Sequence, residues 1–185
     1  MDDTADHATV IVPYLEIEPA PGVIAALDEI FFEASATKSF ADEAARASFR
    51  YRWLGSYLTL APAEAFIALG PNGLPVGYVI GGLADPASDA RYRELGYFAV
   101  FAPLTRQFPA HLHINLAPSF RSHGLGTRLI ERFARHAKEQ GAKGLHVVTG
   151  KGMRNVSFYL KNGFSEVAQT MWNGRPLLML GRRLD

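Results

Sequence analysis

The chain has 185 residues, and 48% of them are hydrophobic, which is enough for one domain with a sizeable core. Its 19 basic and 18 acidic residues leave a net charge of +1, which argues against nucleic acid as a partner because phosphate-binding domains usually carry a basic excess. There is no cysteine, so disulfides, thiolate catalysis and zinc–cysteine sites are excluded.

The beginning of the sequence does not resemble a secretory signal. Residues 1–10, MDDTADHATV, are acidic and polar rather than basic and then apolar. No apolar run in the sequence approaches the roughly 20 residues that a membrane-spanning helix needs. We therefore expect a cytoplasmic protein without a membrane partner.

The first half predicts a strand, two helices and a hairpin. In chain order these are a strand at 8–17, helices at 23–34 and 40–60, and strands at 65–69 and 76–83. The last two strands flank Pro71-Asn72-Gly73, a typical hairpin turn. Residues 85–109 begin polar and become aromatic, and they predict a loop with a short helix that could line a pocket.

The second predicted helix carries one apolar stripe. Its members recur at helical spacing and are Phe49, Trp53, Tyr57 and Leu60. Such an aromatic stripe faces a protein core more often than it binds a cofactor, so we expect Phe49, Trp53 and Tyr57 to pack inside the domain.

The second half alternates strands with helices and ends in a hairpin. The pattern predicts a strand at 111–116, a helix from Leu125 to Gly141, a strand at 145–149, a helix at 155–161 and strands at 164–171 and 176–181. Asn173-Gly174 between the last two strands is a strong signal for a type I′ turn. The order of elements predicts an α/β fold, with a mixed, mainly antiparallel sheet flanked by helices on both faces.

Residues 117–126 join the strand at 111–116 to the following helix. A strand that feeds a glycine-containing loop and then a helix points several backbone N–H groups at one place, where the helix dipole adds positive potential. An anion such as pyrophosphate is the expected ligand, and Gly124 and Gly126 would let it approach the backbone. Two other phosphate loops fail here. A Rossmann fingerprint needs a third glycine, and a Walker loop needs Gly-Lys followed by Ser or Thr, whereas Gly150-Lys151 is followed by Gly152.

Two motifs in this half resemble the GNAT family of acetyltransferases. Residues 114–126, INLAPSFRSHGLG, are similar to the family's cofactor motif, a hydrophobic strand followed by proline, an aromatic residue and Arg/Gln-x-x-Gly-x-Gly/Ala. Residues 158–164, FYLKNGF, resemble its Tyr-x-x-x-Gly-Phe element. One helix and one strand separate the two motifs, as in the family, and the resemblance extends over residues 65–181.

The resemblance implies one GNAT-like domain over residues 1–185, which transfers acetyl from its co-substrate acetyl-CoA to a primary amine by direct attack. The cofactor half would lie near residues 110–164, and the acceptor side near residues 20–60 and 85–109. We expect a small-molecule or amino-acid-like acceptor, because the sequence shows no acidic groove for a lysine-rich peptide. The two C-terminal strands could pair across a homodimer.

The resemblance also implies roles for single positions. Backbone groups around Leu116 would pair with the pantetheine arm, and a splayed gap between the strands at 111–117 and 144–149 would receive the acetyl thioester. Tyr159 would donate a proton to the leaving thiolate, and the Leu116 N–H is the candidate oxyanion donor. The other cofactor contacts would come from Arg121, Ser122, His123, Gly124, Leu125, Gly126, Thr127, Asn155 and Phe158. For His123, plain solvent exposure is the preferred interpretation.

The general base is not determined by the sequence. The strand at 111–116 lacks the glutamate that many relatives use, and alternation places His111, His113 and Asn115 on one face. His113 and Asn115 are the catalytic candidates, although a satisfied sheet histidine is an equal interpretation of His113. His111 and His113 also spell His-x-His, but no nearby third ligand completes a metal site, so no metal is expected.

A second departure from the family pattern precedes Tyr159. Where the family often has asparagine stands Gly152, and Asn155 could then be a simple helix N-cap. These departures leave open a catalytically weak or inactive acyl-CoA-binding sensor or interaction module. Two further alternatives are a different acyl donor or acceptor, such as succinyl-CoA or a hydroxyl, and a purely structural dimer without cofactor affinity.

Overall fold

The computed structural model describes residues 9–184, and residues 1–8 and 185 lie outside this description. The chain divides into two compact units. The first unit comprises the chain up to Gly81 together with His113–Phe133. The second comprises Gly82–Leu112 and the chain from Ala134 onward.

Seven strands form within residues 9–184. They are β1 (Val10–Pro13), β2 (Ala65–Leu69), β3 (Pro75–Gly82), β4 (Ala110–Leu116), β5 (Gly144–Gly150), β6 (Ser165–Trp172) and β7 (Arg175–Arg183). Hydrogen-bonded neighbours follow the order β1-β2-β3-β4-β5-β7-β6. The β4–β5 pair is parallel, and the pairs β1–β2, β2–β3, β5–β7 and β6–β7 are antiparallel. The prediction of a mixed, mainly antiparallel sheet is confirmed.

The helices follow the predicted order. They are α1 (Pro21–Ala34), α2 (Glu43–Arg50), α3 (Ser56–Leu60), α4 (Tyr97–Val100), α5 (Ala102–Thr105), α6 (Leu125–Glu139) and α7 (Asn155–Lys161). Residues 85–109 hold two short α-helices where one was predicted. Residues from 86 to 99 line a small open cavity of about 130 Å³. Within residues 9–184, no helix is both long and apolar enough to span a bilayer.

The core of the first unit lies between α1, the β2–β3 hairpin and α6. Helix α1 starts at Pro21 and buries Val23, Leu27, Ile30 and Phe31 on one face, as the helical spacing predicts. Phe66 of β2 meets Phe133 of α6 edge-on, with their ring centroids 6.5 Å apart. This ring contact joins β2 to α6 within the first unit.

Two predicted elements of the first unit differ from the structure. The strand predicted at 8–17 is only β1, because Pro13 lacks the N–H that would continue the ladder, and Tyr14–Glu16 form a 3-10 turn. The start of that prediction at Ala8 lies outside the described residues. The helix predicted at 40–60 begins at Glu43, capped by the Asp42 carboxylate on the Ala45 N–H (2.7 Å).

The same predicted helix is interrupted by a π turn at Tyr51–Gly55 between α2 and α3. A π turn contains one residue more than an α turn, so the positions after it rotate around the helix axis. After the turn, Tyr57 and Leu58 are buried, whereas Leu60, the last residue of α3, is 52% exposed. Leu60 was predicted on the same stripe as Tyr57, but it does not share the burial of Tyr57.

In the second unit, β6 and β7 form the predicted hairpin. Asn173 and Gly174 at its turn have φ values of 48° and 72°, as a type I′ turn requires. The ring of Phe108 packs against two glycines of neighbouring strands, Gly144 of β5 and Gly181 of β7. A β-carbon on Gly181 would lie 2.9 Å from this ring, and one on Gly144 would lie 2.7 Å from the Gln107 carbonyl oxygen.

Gly144→Ala should destabilise the protein by roughly 2 kcal/mol or more, because the added methyl group meets backbone that cannot move aside. Gly22→Ala is the matched control. Gly22 lies in helix α1, and its nearest neighbour would be 3.8 Å away, so alanine there should stabilise by about 0.5–1 kcal/mol. Urea unfolding measures both. Equal midpoints for the two variants would contradict this account of the Phe108 packing.

Candidate active site

The polar face of β4 in the first unit presents His113 and Asn115, two of the predicted candidates. The His113 Nε2 lies 3.1 Å from the hydroxyl of Tyr57 in α3. The rings of Trp53 and Tyr57 meet the imidazole edge-on, with centroid distances of 5.6 Å and 5.2 Å. Tyr57 is buried and His113 is partly exposed, so the imidazole is held from one side and remains accessible from solvent.

Asn115 is bonded to a second buried tyrosine. Its side-chain amide donates to the Tyr78 hydroxyl oxygen at 2.7 Å. Burial raises the pKa of the Tyr78 phenol well above its ordinary value, and the bond from Asn115 opposes this only in part. Tyr78 is therefore neutral at physiological pH. An amide also has no basic atom at that pH, so Asn115 cannot take a proton from an amine.

His111 lies on the same strand but belongs to the second unit, where it is 2% exposed. Its ring contacts Tyr92 at 4.8 Å, Phe98 at 5.6 Å and His146 at 5.7 Å between centroids. A β-carbon at Gly82 would come within 2.8 Å of its Cε1 atom. This enclosure makes His111 a core residue. Among the described residues no cluster of three His, Asp or Glu side chains could hold a metal ion.

The loop after β4 has the backbone shape of an anion site. Pro118–Phe120 form a 3-10 turn, and Ser122 and Gly124 then adopt left-handed φ values of 67° and 82°. Helix α6 begins directly after them, at Leu125. The backbone N–H of Arg128 donates to the Gly124 carbonyl and so makes the first hydrogen bond of the helix. Backbone N–H groups before Arg128 belong to the first turn, which has no partners inside the helix. Left-handed positions beside a helix N-terminus form a concave set of donors that fits a phosphate.

The predicted loop residues differ in exposure. Ser122, His123, Gly124 and Thr127 are exposed, whereas Leu125 and Gly126 are buried in the start of α6. The exposed position of His123 agrees with the preferred interpretation. Leu125 therefore contributes packing, and only its backbone N–H can face a ligand.

The side chain of Arg121 braces this loop. Its Nε donates to the Leu116 carbonyl at 3.0 Å, and its Nη2 pairs with the Glu33 carboxylate of α1. Arg121 therefore ties the end of β4 to the C-terminal turn of α1. Sequence reasoning did not find the pairing of Glu33 with Arg121, because the two residues lie 88 positions apart and no local pattern marks the pair.

The second predicted motif lies in the second unit, on α7. Tyr159 is 6% exposed, and its ring contacts Phe158 and Phe164, each at a centroid distance of 5.5 Å. Burial raises the pKa of the Tyr159 phenol above its ordinary value, so the hydroxyl keeps its proton at neutral pH. Phe158 is only partly buried.

Asn155 is not the N-cap of α7, so that interpretation is wrong. The capping position is Arg154, which makes no side-chain capping bond, and Asn155 is already the first helical residue. The side-chain amide oxygen of Asn155, Oδ1, instead accepts a hydrogen bond from the Thr149 hydroxyl at 3.0 Å. The parallel ladder at the start of β5 has two rungs, Ala110 with Leu145 and His111 with His146.

Comparison with known proteins identifies the family of this chain. The sequence model of the acetyltransferase (GNAT) family matches residues 24–164, which is more than half of the chain. The chain belongs to this family. Members of the family use acetyl-CoA as acetyl donor.

Three similar proteins illustrate the relationship. An uncharacterised N-acetyltransferase of Methanocaldococcus jannaschii is 27% identical over 117 residues, which cover 62% of this chain and 45% of that protein. The chain thus matches less than half the length of this curated relative. The crystal structure of SsHAT has a TM-score of 0.75 and 24% identity, and the match covers 96% of this chain and 99% of that one. A Salmonella typhimurium protein solved with its cofactor acetyl-CoA has a TM-score of 0.60 and 17% identity, covering 96% and 95%.

Because His146 is buried, we expect the stability of the protein to fall at acidic pH. Burial lowers the pKa of His146 to about 4, although the bond between its Nδ1 and the Phe108 carbonyl (2.5 Å) and the charge of Asp85 act in the opposite direction. Above pH 6.5 the folded and unfolded states are both neutral at this position. Between pH 6.5 and about 4 only the unfolded state takes up a proton, so the free energy of unfolding should fall by roughly 1 kcal/mol per pH unit.

His146→Gln should reduce this loss of stability with falling pH, measured as urea midpoints at pH 7.5, 6 and 5. His123→Gln is the control and should retain the wild-type slope, because His123 is exposed. Parallel slopes for His146→Gln and the wild type would contradict the assignment.

Proposed function

We propose that this chain transfers acetyl from acetyl-CoA to a primary amine of a small molecule or amino-acid-like acceptor by direct attack. The observation that carries the proposal is the loop after β4, where left-handed Ser122 and Gly124 lead into the N-terminus of α6. The chain's membership of the acetyltransferase family supports it. Acceptors in this family include small molecules and peptides, so the acceptor class is our inference.

In this proposal the pyrophosphate is bound by backbone N–H groups from Arg121 to Gly126, with help from the exposed Thr127 hydroxyl. Two features support the assignment. The left-handed backbone turns consecutive N–H groups to one side, and the helix dipole favours an anion at this end. Asn155 and the partly exposed Phe158 would make the remaining contacts with the cofactor.

We assign His113 as the general base. His111 is enclosed in aromatic packing, and Asn115 has no basic atom, so His113 is the accessible proton acceptor on this strand. An imidazole titrates near neutral pH, which suits a group that accepts a proton and later releases it. Asn115 then acts with Tyr78 in shaping the polar face rather than in proton transfer.

The reaction balances with these groups. The amine nitrogen forms a bond to the thioester carbonyl carbon, the carbonyl oxygen becomes an oxyanion, and His113 takes one amine proton. The Leu116 N–H would donate to the oxyanion. The carbon–sulfur bond then breaks, and the thiolate leaves with a hydrogen bond from Tyr159. Because burial makes this phenol a weaker acid than a thiol, its contribution is a hydrogen bond to developing negative charge rather than early proton release.

Three broader expectations about the whole protein remain predictions. They concern a single domain over residues 1–185, a cytoplasmic location and a homodimer. The family match supports the first of these, because residues 24–164 include parts of both units.

Calorimetric titration with acetyl-CoA tests the binding site. Wild-type protein should bind with a dissociation constant on the order of micromolar, and Gly124→Glu should lose binding because it adds a carboxylate to the loop. The matched control is Gly141→Glu at the other end of α6. Gly141 has nearly the same φ, 86° against 82°, and a β-carbon at either position meets no atom within 4 Å. Equal loss in both variants would point to backbone strain, and absence of wild-type binding would overturn the proposal.

Tyr159→Phe tests catalysis separately from binding. We expect unchanged acetyl-CoA affinity and a loss of about 100-fold in the rate of transfer, because the leaving sulfur loses its hydrogen bond. Release of coenzyme A, measured with a thiol reagent across a panel of primary amines and amino acids, gives the rate. The chain contains no cysteine, so the reagent reports only the product. Tight binding without transfer to any amine would favour the acyl-CoA-binding sensor instead.

A further inference from the structure

The segment that includes the π turn and α3 directs two aromatic side chains at His113. The Tyr57 hydroxyl lies 3.1 Å from the imidazole Nε2. Its ring plane is inclined at 68° to the imidazole, and that of Trp53 at 82°. Tyr57 is 2% exposed, so its hydroxyl is held in place by the core of the first unit rather than by solvent.

Both aromatic residues lie at or next to the π turn. Trp53 lies inside the turn, and Tyr57 is the second residue of α3, which follows it. Positions 53 and 57 have the i, i+4 spacing that places two side chains on one face of a helix, and both rings reach the same imidazole. Single π turns inside helices occur often at functional sites, where they reposition side chains.

The chemistry of an imidazole base makes the hydroxyl contact significant. A protonated imidazole carries an N–H at both ring nitrogens, and each needs an acceptor when the ring is partly buried. After His113 takes a proton, its Nε2–H can donate to the Tyr57 oxygen. A phenylalanine at position 57 would provide the same ring packing without this acceptor.

We infer that Tyr57 is a positioning residue for His113: it fixes the orientation of the imidazole and stabilises its protonated form. The inference rests on the proposed function, in which His113 is the base. It adds a residue from the N-terminal helices, which lie outside both sequence motifs. Other charges on this part of the unit are Asp28 and Arg50, which pair at 2.6 Å and act on Tyr78.

Histidine NMR tests the inference without an acceptor. Protein labelled with ¹⁵N-histidine is titrated as wild type and as Tyr57→Phe, and the signal missing in His113→Gln gives the assignment. The titration midpoint of His113 should fall by about half a pH unit or more in Tyr57→Phe. Tyr14→Phe, a half-exposed tyrosine in a 3-10 turn, is the control and should leave it unchanged. Equal midpoints in the wild type and Tyr57→Phe would overturn the inference.

Kinetics provides the second measurement. With an amine that the wild type acetylates, Tyr57→Phe should lower kcat about tenfold and move the acid limb of the rate profile to lower pH. Its acetyl-CoA affinity should not change. An unaltered kcat and pH profile would overturn the inference and leave the proposed function standing. If the wild type acetylates nothing, the proposed function fails, and the NMR titration still decides whether Tyr57 stabilises protonated His113.

Discussion

Strand β4 carries polar side chains on a face that is largely enclosed by protein. Much of the candidate site follows from the contacts that these side chains make. A buried polar group without a partner costs free energy, so each residue on this face needs its own solution. His113 lies against the Tyr57 hydroxyl, and Asn115 donates to that of Tyr78. His111 is instead packed among rings in the core of the second unit. One alternating strand thus yields an accessible imidazole, an anchored amide and a core histidine. Exposure separates the two histidines, and residue type separates His113 from Asn115.

The backbone conformation of the loop that follows β4 is determined by residues within the loop. Left-handed φ at Ser122 and Gly124 turns the chain from the strand into α6, and a non-glycine residue accepts such a conformation only at a cost. Arg121 holds the turn by bonding the carbonyl at the end of the strand and the carboxylate of Glu33 on α1. Donors fixed before a ligand arrives need no reorganisation when it binds, which is the advantage of a preorganised anion site.

Local periodicity was sufficient to predict most of this fold. Alternation over 111–116, helical spacing after Leu125 and the Asn173-Gly174 turn all predicted elements that the structure contains. The π turn could not be predicted, because it arises from packing; the one available hint was Gly55, inside an otherwise regular helical stripe. The sequence also did not connect Tyr57 with His113, because the two residues lie 56 positions apart. Contacts between distant segments, such as Glu33 with Arg121, depend on the fold and leave no periodic signal.

Strand β4 lacks the glutamate that many GNAT relatives have there, and the other candidate proton acceptors of the first unit can be compared with His113. Two carboxylates of α1, those of Asp28 and Glu33, are each paired with an arginine, Arg50 and Arg121. Each of these carboxylates is therefore engaged in an ion pair. Burial keeps Tyr78 protonated and removes it as a base. In the proposed mechanism His113 takes up the proton, and an imidazole that is charged inside the protein needs a polar partner. The Tyr57 hydroxyl meets that requirement from a helix that the sequence motifs do not include.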